Sequence, residues 1–236
     1  NFRKAPKFFD VVKYSGNATV RTISHNLGSV PGMIIVKQIA GNSGMFWPVY
    51  HRGNTSAPQD NYMKLDTASA TVDDANMWND TAPTDSVFTV GTSAYTNGTD
   101  NGATYIAYLF AHNDSGDGGF GPDGDQDIIK CGTYTEAGSG AQEINLGFEP
   151  QWLMVKPFSG TGDWWMYDTM RGQSYGGSNR LKANVSDAEA AQAGYFAPTP
   201  NGFIARLSGS AFFGSGVEVI YMAIRRGPLA PPEAGT

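Results

Sequence analysis

The sequence predicts an all-β protein built from two tandem antiparallel β-sandwich modules, jelly-roll-like, that arose by internal duplication. Three observations lead to this prediction: the composition, the recurrence of short apolar segments, and an internal repeat. Charged residues make up only 16% of the chain, against about 25% in ordinary globular domains. The 30 glycines suit a protein with many tight turns, because glycine readily adopts positive φ.

The internal repeat is visible when the chain is compared with itself. LGSVPGMIIVK at 27–37 aligns with LGFEPQWLMVK at 146–156. The aromatic segments 46–50 and 163–167 and the apolar segments 104–110 and 217–223 pair in the same order. The offset between the copies decreases steadily along the chain, as a duplication followed by small deletions would produce.

The repeat sets the expected domain boundaries. The first β module covers 1–114 and the second covers 128–227. Between them, residues 115–127 are rich in Gly and Asp and are expected to form a flexible linker. The Pro-rich tail at 228–236 is expected to be extended. Because the chain begins with Asn1, we also expect it to be part of a longer protein.

Short strands account for most of each module. The apolar segments 33–37 and 152–156 are predicted to be central strands buried on both faces. Segments 103–111 and 217–225 are the longest strand candidates. One helix is predicted at 186–191, where Ser186 can serve as the N-cap and acidic residues fill the first turn.

Charge and composition exclude several functional classes. The net charge is −6, so nucleic acid is not an expected partner, because phosphate binding needs clustered Lys and Arg. No apolar segment approaches the roughly 18 residues that a membrane helix requires, so no membrane insertion is expected. The single cysteine, Cys131, excludes a disulfide within the chain and is predicted to be a buried thiol.

No catalytic pattern stands out. The three histidines, His25, His51 and His112, lie in no known catalytic motif. Acidic residues are scattered through loops, and nothing marks two of them as the carboxylate pair that glycoside hydrolysis needs. The sequence therefore predicts a protein that is not an enzyme, with a polysaccharide-degrading domain as an alternative.

One segment has the spacing of a metal-binding loop. Asp123, Asp125 and Asp127 alternate with other residues, so their oxygens could surround a calcium ion. The Gly and the terminal Glu of an EF-hand loop are absent. No cofactor is expected; calcium at these three residues is the exception considered, with a flexible acidic linker as the alternative.

Exposed aromatic residues are candidates for glycan binding, because their rings can stack on the apolar face of a sugar. The candidates are Trp78, Trp165, Tyr175 and Tyr95. Trp165 follows Trp164, and adjacent strand residues point to opposite faces, so Trp164 is predicted to be the core residue of the two. Alternatively, these rings pack within their own module or against a neighbouring subunit.

Six N-x-S/T sequons are present. They begin at Asn17, Asn54, Asn79, Asn97, Asn113 and Asn184. In a secreted eukaryotic protein they would be glycan acceptors, which leaves a non-viral secreted lectin as one alternative.

Several segments together resemble a known family. They are FRKAPKFFDVV at 2–12, SHNLGSVP at 24–31 and AIRRGP at 223–228, with DTMRG at 168–172. These are similar to a duplicated, uncharacterised domain in tail-fibre-like virion proteins of tailed phages, many of them marine phages or cyanophages. The resemblance covers nearly the whole chain and brings no catalytic motif with it.

The resemblance implies a virion protein of the tail or an appendage. Its function would be attachment to host-surface polysaccharide, or fibre structure, without catalysis. Self-association as a homotrimer and contacts with other virion proteins are implied as well. A purely structural shaft, decoration or appendage subunit remains the main alternative.

Overall fold

The computed structural model describes residues 3–174, 177–206, 209 and 211–227. The protein is all-β, with 43% of residues in strands and every sheet antiparallel. It divides into two compact units whose boundary lies between His112 and Asn113. This boundary is close to the end of the first module predicted from the repeat.

The described residues of the first unit form eight strands. They are β1 (Phe9–Ser15), β2 (Arg21–Ser24), β3 (Pro31–Ala40), β4 (Pro48–His51), β5 (Asn61–Lys64), β6 (Val72–Asp73), β7 (Val87–Val90) and β8 (Thr104–Ala111). Six form one sheet in the order β1-β8-β3-β4-β5-β6, and β2 pairs with β7. Short helices lie between them: α1 (Ala75–Trp78), α2 (Ala94–Asn97), and 3-10 turns at Pro58–Asp60 and Asp100–Gly102.

Nine strands lie in the part of the second unit that the structure describes. They are β9 (Ile129–Thr135), β10 (Gln142–Asn145), β11 (Pro150–Pro157), β12 (Trp165–Asp168), β13 (Ser178–Lys182), β14 (Ala190–Gln192), β15 (Ala197–Thr199), β16 (Gly202–Arg206) and β17 (Glu218–Arg225). One sheet has the order β14-β13-β12-β11-β17-β9, and the other has the order β10-β16-β15. A 3-10 turn covers Thr169–Arg171. In the part of the chain described, no helix is long and apolar enough to cross a membrane.

The two six-stranded sheets share one strand order. Strands β9, β17, β11, β12, β13 and β14 occupy the places that β1, β8, β3, β4, β5 and β6 occupy in the first unit. The smaller sheets also correspond, since β10–β16 matches β2–β7 and β15 is an addition. The counterparts follow the order in which the sequence repeats.

The central strands are those predicted from the apolar runs. Strand β3 lies between β8 and β4, and β11 lies between β17 and β12. Successive residues of each strand point to opposite faces, yet Met33 to Val36 and Leu153 to Val155 are all buried. The prediction of strands buried on both faces is therefore confirmed for Met33 to Val36 and for Leu153 to Lys156, whereas Lys37 and Trp152 are partly exposed.

The core of the second unit lies between its two sheets. Leu153 and Tyr221 of the large sheet face Phe203 of β16 within one cluster of buried residues. The ring of Phe203 meets Tyr221 edge-on, with centroids 5.4 Å apart. The described part of the unit therefore consists of two antiparallel sheets, of six and three strands, that pack against each other.

Two expectations about local structure are wrong. The predicted helix at 186–191 does not form: 186–189 are irregular and Ala190–Gln192 forms β14, which pairs with β13. Six residues are far fewer than the roughly 12 that stabilise a helix without packing, and the edge of β13 offers backbone partners. Residues 115–127 are not a linker between units but a loop folded onto the second unit. The Pro-rich tail at 228–236 lies outside the described residues.

Candidate functional site

The second unit carries a groove of about 880 Å³, hereafter the polar groove. One wall is the 114–127 loop, and the others come from the start of β9, the turn between β10 and β11, and the end of β17. Its polar lining consists of Asp114, Ser115, Asp123, Asp125, Gln126, Asp127, Lys130, Asn145 and Arg225.

Hydrogen bonds from side chains to backbone hold the loop in place. The Asp127 carboxylate accepts from the backbone N–H of Gly116 at 3.2 Å and of Gly118 at 3.1 Å. A Cβ on Gly118 would lie 2.4 Å from the backbone oxygen of Gln126, so the close approach requires glycine. The Asn113 Oδ1 accepts from the N–H of Ile128 at 3.0 Å. The loop is therefore a fixed wall of the groove.

The groove has an acidic balance of charge. Lys130 Nζ lies 2.7 Å from Asp114 Oδ1, and Arg225 Nη1 donates to the backbone oxygen of Asp127 at 3.3 Å. Against these two cations the lining has four aspartates, of which Asp114, Asp123 and Asp125 are exposed. The groove therefore favours neutral or cationic ligands over anionic ones.

The predicted calcium ligands all lie at this groove. Asp127 already accepts two backbone N–H bonds. Within the described ranges, no group of three or more His, Cys, Asp or Glu side chains is arranged to hold a metal ion. The structure thus brings Asp123, Asp125 and Asp127 to one groove without forming a calcium cage, and calcium binding stays a prediction.

Trp78 is not available to a ligand, contrary to the expectation from its polar segment. Its side chain is 2% exposed, and its indole N–H donates to the backbone oxygen of Asn61 at 3.1 Å. The cause is helix α1, whose N-cap Asp74 accepts from the Asn76 N–H. This short helix turns Trp78 inward, where Tyr50 meets it edge-on.

Trp165 is buried as well, with 8% of its surface exposed. The Arg180 guanidinium lies 4.2 Å from its ring centroid and Lys182 Nζ lies 4.8 Å away. Phe212 meets the ring edge-on at 5.3 Å. These contacts leave no ring face for a sugar, so the interpretation of Trp165 as a glycan contact is wrong. Trp164 is buried too, and Trp165 belongs to the core cluster of the unit, so the prediction that Trp164 is the core residue of the two is wrong.

The two tyrosine candidates have different outcomes. Tyr175 lies outside the described residues. Tyr95 is half-buried and stacks on Phe46, which in turn stacks on Tyr62 with centroids 5.6 Å apart. Lys64 Nζ lies 4.6 Å from the centroid of Phe46. One face of Tyr95 is therefore occupied, and glycan binding at this residue stays a prediction.

His25 and His51 have structural roles. His25 Nδ1 accepts from the N–H of Leu27 at 3.2 Å, and His51 Nδ1 accepts from the N–H of Gly53 at 3.1 Å. Each ring thus stabilises a turn by accepting a hydrogen bond from the backbone N–H two residues later. Both side chains are buried, and burial lowers the pKa of His25 below its usual value.

Three of the six sequons have buried asparagines, Asn54, Asn97 and Asn113. The amide nitrogen of Asn97 donates to Thr19 O at 2.7 Å and to Gly91 O at 2.9 Å. A glycan on that nitrogen would break these bonds and would have no space. The buried sequons weigh against the secreted-lectin alternative.

The sequence did not single out two contributors to the polar groove. Asn145 ends β10 and Arg225 ends β17, far from 114–127 in the chain. Both are polar residues at the last position of a strand in the second unit, and this position is the feature that could have identified them. Which strand ends share a groove depends on strand order, which the sequence did not predict.

The similarity of this chain to known proteins identifies its family. No curated protein sequence matches the chain. One solved structure, "Crystal Structure of the STIV MCP", aligns over 92% of this chain and 95% of that one, at 11% identity and a TM-score of 0.24. A TM-score this low does not establish a shared fold. The profile described as "Domain of unknown function (DUF7483)" matches residues 5–228, and the chain therefore belongs to the DUF7483 family.

Proposed function

We propose that this chain is a non-catalytic attachment module of a virion protein that binds host-surface polysaccharide through the polar groove of its second unit. The observation that carries the proposal is the groove itself, whose wall is fixed by Asp127 and Asn113. A preformed wall loses little entropy when a ligand binds, and this favours affinity.

The lining suits a hydroxyl-rich ligand. Sugar hydroxyls both donate and accept hydrogen bonds. The exposed carboxylates of Asp123 and Asp125 can accept hydrogen bonds, Lys130 can donate them, and the amide of Gln126 can do both. The volume of about 880 Å³ falls in the usual range for small-molecule sites, and it is open enough for a segment of a longer chain. The acidic balance favours a neutral or amino-sugar polysaccharide.

The contacts of two aspartates favour binding over hydrolysis. A glycosidase needs one carboxyl that carries a proton and can donate it to the leaving group. Asp114 pairs with Lys130, and Asp127 accepts two backbone N–H bonds. Both carboxylates are therefore already bonded to donor groups of the chain.

The placement on a virion rests on the resemblance of 2–12, 24–31 and 223–228 to tail-fibre-like proteins. A tail or appendage protein presents such a module outside the particle. In a homotrimer each site would be present three times, and linked sites gain avidity without new contacts. The repeated strand order of the two units is consistent with a duplicated module.

The test is binding of the purified chain to an array of bacterial surface glycans, with its mass in solution and the release of reducing ends recorded in parallel. We expect saturable binding to neutral or amino-sugar glycans and no reducing ends. A folded chain that binds no glycan would overturn the proposal in favour of a structural subunit. Release of reducing ends would overturn it in favour of a depolymerase.

A further inference from the structure

A second, smaller groove lies on another part of the second unit. Its volume is about 480 Å³, and its lining is Gln151, Trp152, Asp168, Thr169, Met170 and Arg171; it is called the Trp152 groove below. Trp152 of β11 is directly opposite Asp168 of β12. The groove therefore combines a half-buried indole ring with an adjacent carboxylate.

The far wall of the Trp152 groove is a fixed turn. Asp168 accepts from the Arg171 N–H at 2.8 Å and from Arg171 Nε at 2.7 Å. Arg171 Nη1 reaches Glu189 Oε2 at 3.2 Å, and Gly172 ends the turn with a φ of 91°. The turn holds Met170 with 95% of its surface exposed, so the groove lining includes an apolar thioether as well as an aromatic ring.

The first unit closes the equivalent position. There Met33 of β3 is opposite His51 of β4, and these two strands occupy the places of β11 and β12 in the common strand order. Met33 and His51 are 1% and 0% exposed, whereas Trp152 and Asp168 are only partly buried. The equivalent position is therefore buried in the first unit and partly exposed in the second.

We infer that the Trp152 groove binds one neutral pyranose residue of the polysaccharide, an inference that rests on the proposed function. The indole ring provides a flat apolar surface for the C–H face of the sugar, and Met170 provides an apolar side wall. The polar groups that can form hydrogen bonds with the sugar hydroxyls are the Gln151 amide, the Asp168 carboxylate and the Thr169 hydroxyl.

The charges specify a neutral sugar over an acidic one. Arg171 is the cation of this groove, and it already pairs with both Asp168 and Glu189. A sugar carboxylate would have to displace one of these partners and would face the other. A neutral sugar needs no such exchange, because hydroxyls can bond to the outer lone pairs of Asp168.

The experiment is an NMR titration of the full chain with ¹⁵N-labelled tryptophan, in which each of the five tryptophans gives one indole signal. The probes are the methyl glycosides of glucose, galactose, mannose and N-acetylglucosamine. We expect at least one to shift the Trp152 signal saturably while Trp78, Trp164 and Trp165, which are buried, do not move. Trp152→Phe assigns the signal.

Two variants of the groove wall keep the test independent of any effect of Trp152 on folding. Met170→Ala removes an exposed side chain, and Asp168→Asn keeps the shape of the residue. Each should weaken the saturable shift several-fold, and the double variant Asp123→Ala/Asp125→Ala in the polar groove should leave it unchanged. Equal shifts of Trp47 and Trp152, or no saturable shift with any of the four glycosides, would overturn the inference.

The two proposals fail in different ways. If glycan-array binding is lost with Asp123→Ala/Asp125→Ala and unaffected by Met170→Ala and Trp152→Phe, the polar groove stands and the Trp152 groove is overturned as a binding site. If the Trp152 signal responds to a glycoside while the chain binds no arrayed glycan, the sugar site stands and the attachment function is overturned.

Discussion

Arg206 and Glu136 face each other in the interior of the second unit, with Nη1 3.6 Å from Oε2 and both side chains fully buried. The arginine also donates to the backbone oxygens of Ala137 and Gly140, at 2.6 Å each. The glutamate accepts from the N–H of Phe212 at 3.2 Å. The pair thus joins β9, β16 and the segment around Phe212, which covers Trp165.

Breaking this pair should destabilise the second unit strongly. Arg206→Met leaves a buried carboxylate without its cation, and such losses cost about 3–5 kcal/mol. The matched control is Arg226→Met, which breaks the exposed pair of Arg226 with Glu149 and should cost less than about 1 kcal/mol. Urea unfolding measures both, and similar losses in the two variants would contradict the buried pair.

The first unit should lose stability on mild acidification through His25. Burial lowers the pKa of His25 and outweighs the opposing effects of a hydrogen bond with the Thr84 backbone and of the charges of Asp10 and Asp85, so the folded unit favours the neutral ring. This contribution is fully present above the unfolded pKa of about 6.5 and is lost as the pH falls through the folded value. Unfolding followed between pH 7.5 and 5 should show the decrease, and His25→Asn should reduce it. An unchanged slope in this variant would assign the effect to other groups.

Asn97 should be more important to the first unit than its sequence context suggests. Its amide donates to Asn17 Oδ1, Thr19 O and Gly91 O, and its Oδ1 accepts from the N–H of Asn17. Asn97→Ala leaves these groups without partners, at about 1–3 kcal/mol for each buried group left unsatisfied. Asn42→Ala, at an exposed asparagine, should change stability by no more than about 0.5 kcal/mol. Equal melting temperatures for the two variants would exclude the network.

Gly202 should tolerate no side chain. A Cβ there would lie 2.0 Å from the backbone oxygen of Ile144, so Gly202→Ala should push β10 away from β16 and cost about 1–3 kcal/mol as an overpacked site. A Cβ added to Gly160 would have no neighbouring atom within 4 Å, so Gly160→Ala should leave stability nearly unchanged. Thermal unfolding of both variants is the check, and a neutral Gly202→Ala would show that β10 can shift freely.

The sequence was most informative where burial is dictated by an apolar run. The segments that became β3 and β11 were predicted because few positions outside a central strand accept such a run. The composition of residues 115–127, with its many glycines, predicts a linker. Composition does not show that the side chains of Asn113 and Asp127 accept hydrogen bonds from the backbone there.

The aromatic candidates show a different limit of sequence reasoning. Trp78 is a candidate because of its polar neighbours and Trp165 because it follows Trp164 in a strand, but α1 buries the first and Arg180 and Lys182 cover the second. Trp152 was assigned to a buried strand and is the ring that lines a groove. Exposure of a ring depends on its neighbours across the sheet, which a single sequence does not specify.

The most direct test of the central claim is calorimetric titration of the array's strongest oligosaccharide into two matched double variants. Asp123→Ala/Asp125→Ala removes two exposed carboxylates from the polar groove, and Asp73→Ala/Asp85→Ala removes two exposed ones from the first unit. A hydrogen bond to a charged group contributes about 1.5–3 kcal/mol, so the groove variant should bind at least about tenfold more weakly. The first-unit variant should bind as the wild type does. Equal affinity of both double variants and the wild type would contradict a polysaccharide site in the polar groove.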